Sequence, residues 1–452
     1  MREHVQSKDT DSAIMARLLL AVIVLLLFCG SSSLPAQEKI PNDPYYKYQF
    51  SFHNPGGKIR INTRSYEPSM EEFDAEKGID LNIEKAWAIT TGSKSVVVAL
   101  LDDGFCYDLP DIRDNIWHNP GESGKDGNGF DKETNGMDDD HNGYVDDVVG
   151  WDFAFDRPDP DCHIFDGTDK TRIAPYWHSL HAMGIIGAKG NNGIGVAGIN
   201  WDVSMMLLKI GAQGFGQGQV DTSRVERAAK AIRYAADNGA RIINWSGFVN
   251  DTRPEQLALL RKAVDYAAAK NALIVLAAGN AAKDIDLDEN CLFPQCFDTE
   301  NMIRVAEIDF QGKLYRAEAS GKIIGGSNYG AKRVEVAALA MNYTTDIKGG
   351  IGVYELSGGT SNAAPVVSGV AALMLSVNPK LTAVQLRGLL MQSATKLPAL
   401  KGKVASEGMV NAYQAVLAAK AASSSAITKS GLDHRLINDK SGATIVLAGS
   451  VR

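Results

Sequence analysis

The sequence predicts an α/β protein: a doubly wound, mostly parallel sheet with helices on both faces. Three observations carry this. Val96–Leu101 (VVVALL) is an unbroken apolar run of strand length, as a strand covered on both faces requires. Between residues 223 and 278, segments of helical and strand character alternate. Asn362–Val377 is apolar almost all round, which suits a helix sunk in the middle of a domain.

The strand at 96–101 runs into Asp102-Asp103-Gly104. Ser223–Asn238 reads as a helix, with Ser223 and Glu226 at capping-box spacing, Ala228, Ala229, Ile232, Ala235 and Ala236 on one side, and Gly239 as the stop. Strand Ile242–Ser246, a helix from about Pro254 to Lys270 and strand Ala272–Ala278 follow, with further strands at Ile303–Ile308 and Val334–Ala338. In the helix at 362–377, Pro365 is placed in the first turn, where its missing N–H costs little. Glu407–Lys420 closes the folded domain, and residues 421–452, poor in aromatics, read as a weakly ordered extension.

At the N-terminus, eleven apolar residues (Leu18–Phe28) follow Arg17 and precede the small, polar stretch Gly30–Ala36. This pattern predicts a signal peptide over 1–36 and export to the medium, periplasm or cell surface, with no membrane span left after its removal. Glu3, Asp9 and Asp11 dilute the positive charge ahead of it, and a start at Met15 gives a cleaner leader. Cys29 stands where a lipid-carrying cysteine would, but Phe28 before it is a poor match, so ordinary export is the preferred reading. Cys106, Cys162, Cys291 and Cys296 remain; in an exported chain they permit two disulfides in three connectivities. Cys291 and Cys296 are close enough to clip one loop, leaving Cys106 for Cys162; four free thiols are the alternative.

The formal charge of −8 over 452 residues excludes a nucleic-acid binder, since no basic footprint exists. That charge is concentrated. Residues 121–147 hold nine acids and two lysines, a net of −7, so the rest of the chain is nearly neutral. Within this stretch Asp138, Asp140, Asn142 and Asp146 occupy positions 1, 3, 5 and 9 of a loop, with Gly143 at 6 and the Tyr144 carbonyl available at 7. Hard oxygen ligands at this spacing suit calcium. Val149 at position 12 rules out an EF-hand, so Asp146 or Asp147 must close the shell. A solvated acidic loop is the alternative.

Three places end a strand or open a helix with reactive residues: Asp102, His178 and Ser361. In parallel α/β folds such ends gather on one side of the sheet. A serine hydroxyl needs an imidazole to take its proton, and the imidazole needs a buried carboxylate to fix its tautomer. A serine at a helix N-terminus also aims its amide at a developing oxyanion, and Asn280, ending ALIVLAAGN, offers a second donor.

These residues stand in LLDDG, HSLHAMGIIGAKGNNGIGVAG, INWSG, VLAAGN and SGGTSNAAPVVSGVAAL, in the order Asp, His, Ser, and the chain resembles the subtilisin-like (subtilase) serine proteases. The likeness extends from NDPYYKYQ at Asn42 to GMVNAYQAV ending at Val416, and implies a subtilisin-like peptidase domain over 37–420 with an acidic insertion at 121–152. By resemblance, Asp102, His178 and Ser361 form the catalytic triad, Asn280 the oxyanion amide, and Ser246, Gly247, Phe248 and Gly279 line the substrate, with the Ser246–Phe248 edge pairing with its backbone. The acidic insertion resembles those of calcium-stabilised relatives, with Asp138, Asp140, Asn142, Tyr144, Asp146 and Asp147 as ligands. The expected partners are protein or peptide substrates, and the expected state is a monomer.

Several positions depart from the family pattern. Ser179-Leu180 replaces Gly-Thr, putting bulk beside the site; an extra glycine and Asn362 alter the serine motif; Ala338-Leu339-Ala340 replaces Ala-Pro-Gly; and Phe248 offers a ring to fill a pocket. Asp103, where Ser or Thr is usual, suggests preference for a basic substrate residue. His181 reads as helix packing, with no third metal ligand in view. The mature-like sequence begins a few residues after Ala36, with no long inhibitory prosegment expected. The runner-up is a catalytically weak relative that binds peptides or serves as a scaffold. A third class, a dinucleotide-dependent oxidoreductase, rests only on the Gly193–Gly198 fingerprint, which follows a helix where it should follow a strand.

Overall fold

The structure is a computed structural model that describes residues 38–67, 69–162, 177–211, 223–348 and 351–424. The expected signal peptide with Cys29, and residues 425–452 of the expected extension, lie outside the described residues; residues 421–424, expected to be weakly ordered, instead continue the helix Ala412–Ser424.

Nine strands build one sheet: β1 (Gly92–Asp102), β2 (Gly150–Asp152), β3 (Asp202–Lys209), β4 (Ile242–Trp245), β5 (Leu273–Ala277), β6 (Met302–Ile308), β7 (Val336–Leu339), β8 (Thr395–Lys396) and β9 (Gly408–Met409). Their order is β8-β9-β7-β6-β5-β4-β1-β3-β2, and every pair is parallel except β8 with β9. The expected doubly wound sheet is therefore present.

The helices are α1 (Ile83–Trp87), α2 (Trp177–Gly187), α3 (Arg224–Asp237), α4 (Pro254–Ala269), α5 (Thr360–Val377), α6 (Ala383–Gln392) and α7 (Ala412–Ser424). Successive strand residues point to opposite faces, and this splits the core in two. Val98, Leu100, Met205 and Leu207 pack with α2 and α5 on one face. Ala99, Leu101, Met206 and Leu208 pack with α3 and α4 on the other. Among the described residues α5 is the one helix long and apolar enough to cross a membrane, and it is buried in the domain.

Two local expectations are corrected. Ser223 makes no side-chain cap: its φ/ψ of −91°/−8° is already helical, and its hydroxyl accepts from Arg227 Nη1 at 3.0 Å instead. The capping box that does form joins Thr382 and Gln385 at the start of α6. Because α5 starts at Thr360, Pro365 falls in the helix interior, beyond the first turn.

Outside the sheet, three antiparallel strand pairs among the described residues (Gly57–Asn62 with Met70–Ala75, Arg316–Ala319 with Lys322–Gly326, and Asn342–Lys348 with Ile351–Ser357) were not evident from the sequence. The last of these leads directly into α5 and Ser361. Both expected disulfides form, Cys106–Cys162 and Cys291–Cys296.

Candidate active site

Asp102 is the last residue of β1, and His178 lies in the first turn of α2. The two meet: His178 Nδ1 stands 3.0 and 2.9 Å from the two carboxylate oxygens of Asp102, which is 6% exposed. With Nδ1 donating to Asp102, the lone pair of Nε2 is left to accept a proton. Burial alone pulls the imidazole pKa down; the charge and hydrogen bond of Asp102 outweigh it, and the net direction is upward.

Ser361 is the second residue of α5, so its N–H has no carbonyl one turn earlier to bond. The preceding amides are already used. Gly359 N donates to Glu307 Oε1 at 2.8 Å, and Thr360 N donates to Asn280 Oδ1 at 2.9 Å. The Thr360 hydroxyl also donates to Asn280 Oδ1 at 2.8 Å, while accepting from Gly279 N at 3.0 Å. These bonds fix which end of the Asn280 amide faces Thr360, and so leave its Nδ2 donor for another partner. Glu307 was not singled out from the sequence; in a strand-like run (RVAEI) one acid carries no visible signal. It is 1% exposed, and burial pushes its carboxyl up to about 7, against the bond from Gly359 that pulls it down.

Ser246, at the end of β4, donates through its hydroxyl to the Ser361 carbonyl at 2.7 Å. Beside it opens a cavity of ≈ 370 Å³ whose lining includes Ser246, Gly247, Phe248, Gly279, Asn280 and Ser361. All four expected substrate-lining residues therefore share one cavity with the serine. Gln295 Nε2 bonds both Gly247 O and Ala277 O at 2.9 Å, tying the two walls together. Phe248 is 40% exposed and walls the cavity without filling it. A larger cleft of ≈ 760 Å³, lined by Glu307, Gly358, Gly359 and Arg316 among others, flanks the loop before Ser361.

The departures from the family pattern fall in different places. Leu180 is fully buried in the core and does not crowd the site. Asp103 pairs with Arg224 Nη1 at 3.0 Å, so the expected pull on a basic substrate residue is already taken up by a guanidinium of this chain. Asn362 is buried, and its Nδ2 has no hydrogen-bond partner among the described residues. His181 lies 3.8 Å from Asp346 and 3.9 Å from Glu355, two carboxylates from the hairpin that leads into α5, which sequence reasoning did not connect with it. Gly193–Gly198 lies in the loop after α2, where Gly193 N donates to Asn42 Oδ1, and has no preceding strand.

In the acidic insertion, ligand atoms of Glu122, Asp138 and Asp140 all lie within 4.8 Å of one another. Glu122, fully buried, accepts Asp139 N and Asp140 N through Oε1, at 2.7 and 3.2 Å, and its Oε2 has no hydrogen-bond partner among the described residues. An orphaned carboxylate oxygen beside two more carboxylates fits a hard cation. Glu122 escaped the sequence reading because it precedes the spaced loop by 16 residues. Asn142 donates from its backbone to both Asp138 and Asp140, and from its side chain to Asp140 and Asp147. Asp147 also accepts from Asn119 and the Tyr234 hydroxyl, whereas Asp146 accepts from Gly136 N. The Tyr144 ring packs on Trp151 and Tyr234, each at 4.9 Å.

A model of the subtilase family (Peptidase_S8) matches residues 93–413. The chain is 32% identical to a subtilisin-like protease 1 of Plasmodium berghei, over 83% of this chain and 59% of that protein. Subtilisin-like proteases of two further Plasmodium species share 28% identity, and this chain spans 52% and 43% of their lengths. The solved structure of a protease from Pseudoalteromonas arctica covers 84% of this chain, and is itself 99% covered, with a TM-score of 0.58 at 24% identity, a likeness of fold.

Proposed function

The chain belongs to the subtilase family of serine peptidases, and from that premise we propose that it is an exported endopeptidase working through Asp102, His178 and Ser361. Ser361 Oγ attacks the scissile carbonyl carbon while its proton passes to His178 Nε2. The resulting oxyanion is held by Ser361 N–H and Asn280 Nδ2. His178 then returns the proton to the leaving amine, the peptide C–N bond breaks, and the acyl group stays on Ser361 as an ester. Water, deprotonated by the same imidazole, hydrolyses that ester and restores the serine. Asp102 holds the imidazole in place and stabilises the imidazolium.

The substrate is a polypeptide lying extended along Ser246–Phe248, with one side chain entering the cavity walled by Phe248, Leu292 and Ala277. Those apolar walls favour an apolar residue on the acyl side of the cut bond. Calcium fits the acidic insertion; Glu122, Asp138 and Asp140 would hold it, and it would neutralise their mutual repulsion and stiffen the loop. Two disulfides support an oxidising compartment, in line with export.

The observation that carries this reading is the Asp102–His178 contact at 2.9 Å, on the same side of the sheet as a serine in the first turn of a helix. Hydrolysis of an unfolded polypeptide tests it: wild type should cut it and Ser361→Ala should not. Equal cleavage by both proteins rules the reading out.

A further inference from the structure

The helix that presents Ser361 has no cap of its own. Its N-cap residue is Gly359, at φ +104°, with no side chain to accept from the exposed amides of the first turn. Two side chains from neighbouring strands do this instead. Asn280, just past β5, takes Thr360 N at 2.9 Å; Glu307, near the end of β6, takes Gly359 N at 2.8 Å. Three successive amides thus have an order: Glu307 holds the first, Asn280 the second, and the third is that of Ser361. A peptide plane fixed on two successive N–H vectors leaves little freedom in the direction of the next.

Glu307 is costly to place there. It is 1% exposed, in a strand whose other residues are also buried, and its one bonded oxygen is spent on Gly359. Packing alone would be served as well by an apolar residue. The acceptor is what the position gains.

We propose that Glu307 is a positioning residue of this site, capping the nucleophile helix from β6 and so aiming the Ser361 amide at the oxyanion. This rests on the reading of Ser361 as nucleophile. The aimed amide acts on a charge that develops only in the transition state, so a poorly aimed one lowers kcat and spares KM.

Peptide hydrolysis by four proteins tests it. Glu307→Gln keeps an acceptor oxygen at the same reach and should stay within about threefold of wild type in kcat. Glu307→Ala removes the acceptor and Glu307→Asp withdraws it by one methylene; both should lose about tenfold or more in kcat, with KM within about twofold, a loss of the size that small misplacements produce. Wild-type kcat in the Ala and Asp variants overturns the proposal, and so does equal loss in Gln and Ala. Amide hydrogen exchange over residues 356–362, in Ser361→Ala with and without Glu307→Ala, reads the cap without turnover. Faster exchange on losing Glu307 is expected, and unchanged exchange overturns the proposal. A wild type that cuts nothing, yet shows the exchange difference, fails the protease reading and leaves the cap standing.

Discussion

The hydroxyl of Ser246 donates to the main-chain carbonyl of Ser361 at 2.7 Å. This bond exists because Pro365 stands four residues on, where a helix would supply an N–H to that carbonyl and proline has none. The end of β4 thus bonds the backbone of Ser361, the proposed nucleophile, and the wall of the cavity and that residue share one hydrogen bond. Ser246→Ala orphans a part-buried carbonyl and should cost about 1–3 kcal/mol of stability, read as a lower urea midpoint with an unchanged slope. Ser246→Thr, which keeps the hydroxyl, should lose less. An unchanged midpoint in the alanine variant would show that water replaces Ser246 freely.

The raised pKa of His178 sets the pH response. The proton must be off His178 for it to act as base, so kcat/KM should rise with pH through a midpoint above the ordinary histidine value of about 6.5. Asp102→Asn removes the charge that lifts the pKa and favours the wrong tautomer. Its acid limb should move to lower pH, and kcat should fall by about 10⁴-fold. A pH–rate profile of both proteins checks this, and an acid limb that stays put in the variant contradicts the role of Asp102.

The sheet was legible in the sequence because strands buried on both faces read as apolar runs, as VVVALL and LIVLA do. The three antiparallel pairs outside it were not. GIGVYELS alternates weakly and carries Glu355 and polar ends, so nothing local marks it as a strand. Asp102, His178, Ser361 and Asn280 were legible because each sits in a motif. Glu307 and Glu122 were not, since each acts through partners distant in sequence: Gly359 lies 52 residues beyond Glu307, and Asp139 17 residues beyond Glu122. The helical geometry of Ser223 and the Arg224 partner of Asp103 depend on packing that no spacing rule records.

Calcium should raise the thermal midpoint of the Ser361→Ala protein, a background that removes self-digestion. At a hundredfold excess over the dissociation constant, the gain should be about 2.7 kcal/mol. Asp140→Asn and Glu122→Gln should both abolish most of the shift. A melting curve indifferent to chelator would show instead that the acids are a solvated loop.

Cys106–Cys162 closes a loop of 56 residues that begins four residues after Asp102. By loop-closure entropy it should contribute about 4 kcal/mol, and the five-residue clip Cys291–Cys296 less. Replacing each pair by alanines and comparing urea midpoints checks the order, and a larger loss from the short clip contradicts it.

Activation of Ser361 as a nucleophile by His178 is open to a direct chemical test. A fluorophosphonate reacts with such a serine, and intact-mass measurement followed by peptide mapping locates the adduct. In calcium-loaded, folded protein, one adduct on Ser361 is expected, absent from Ser361→Ala and strongly slowed in His178→Ala. No labelling of the folded wild type, or labelling that survives Ser361→Ala, would contradict it.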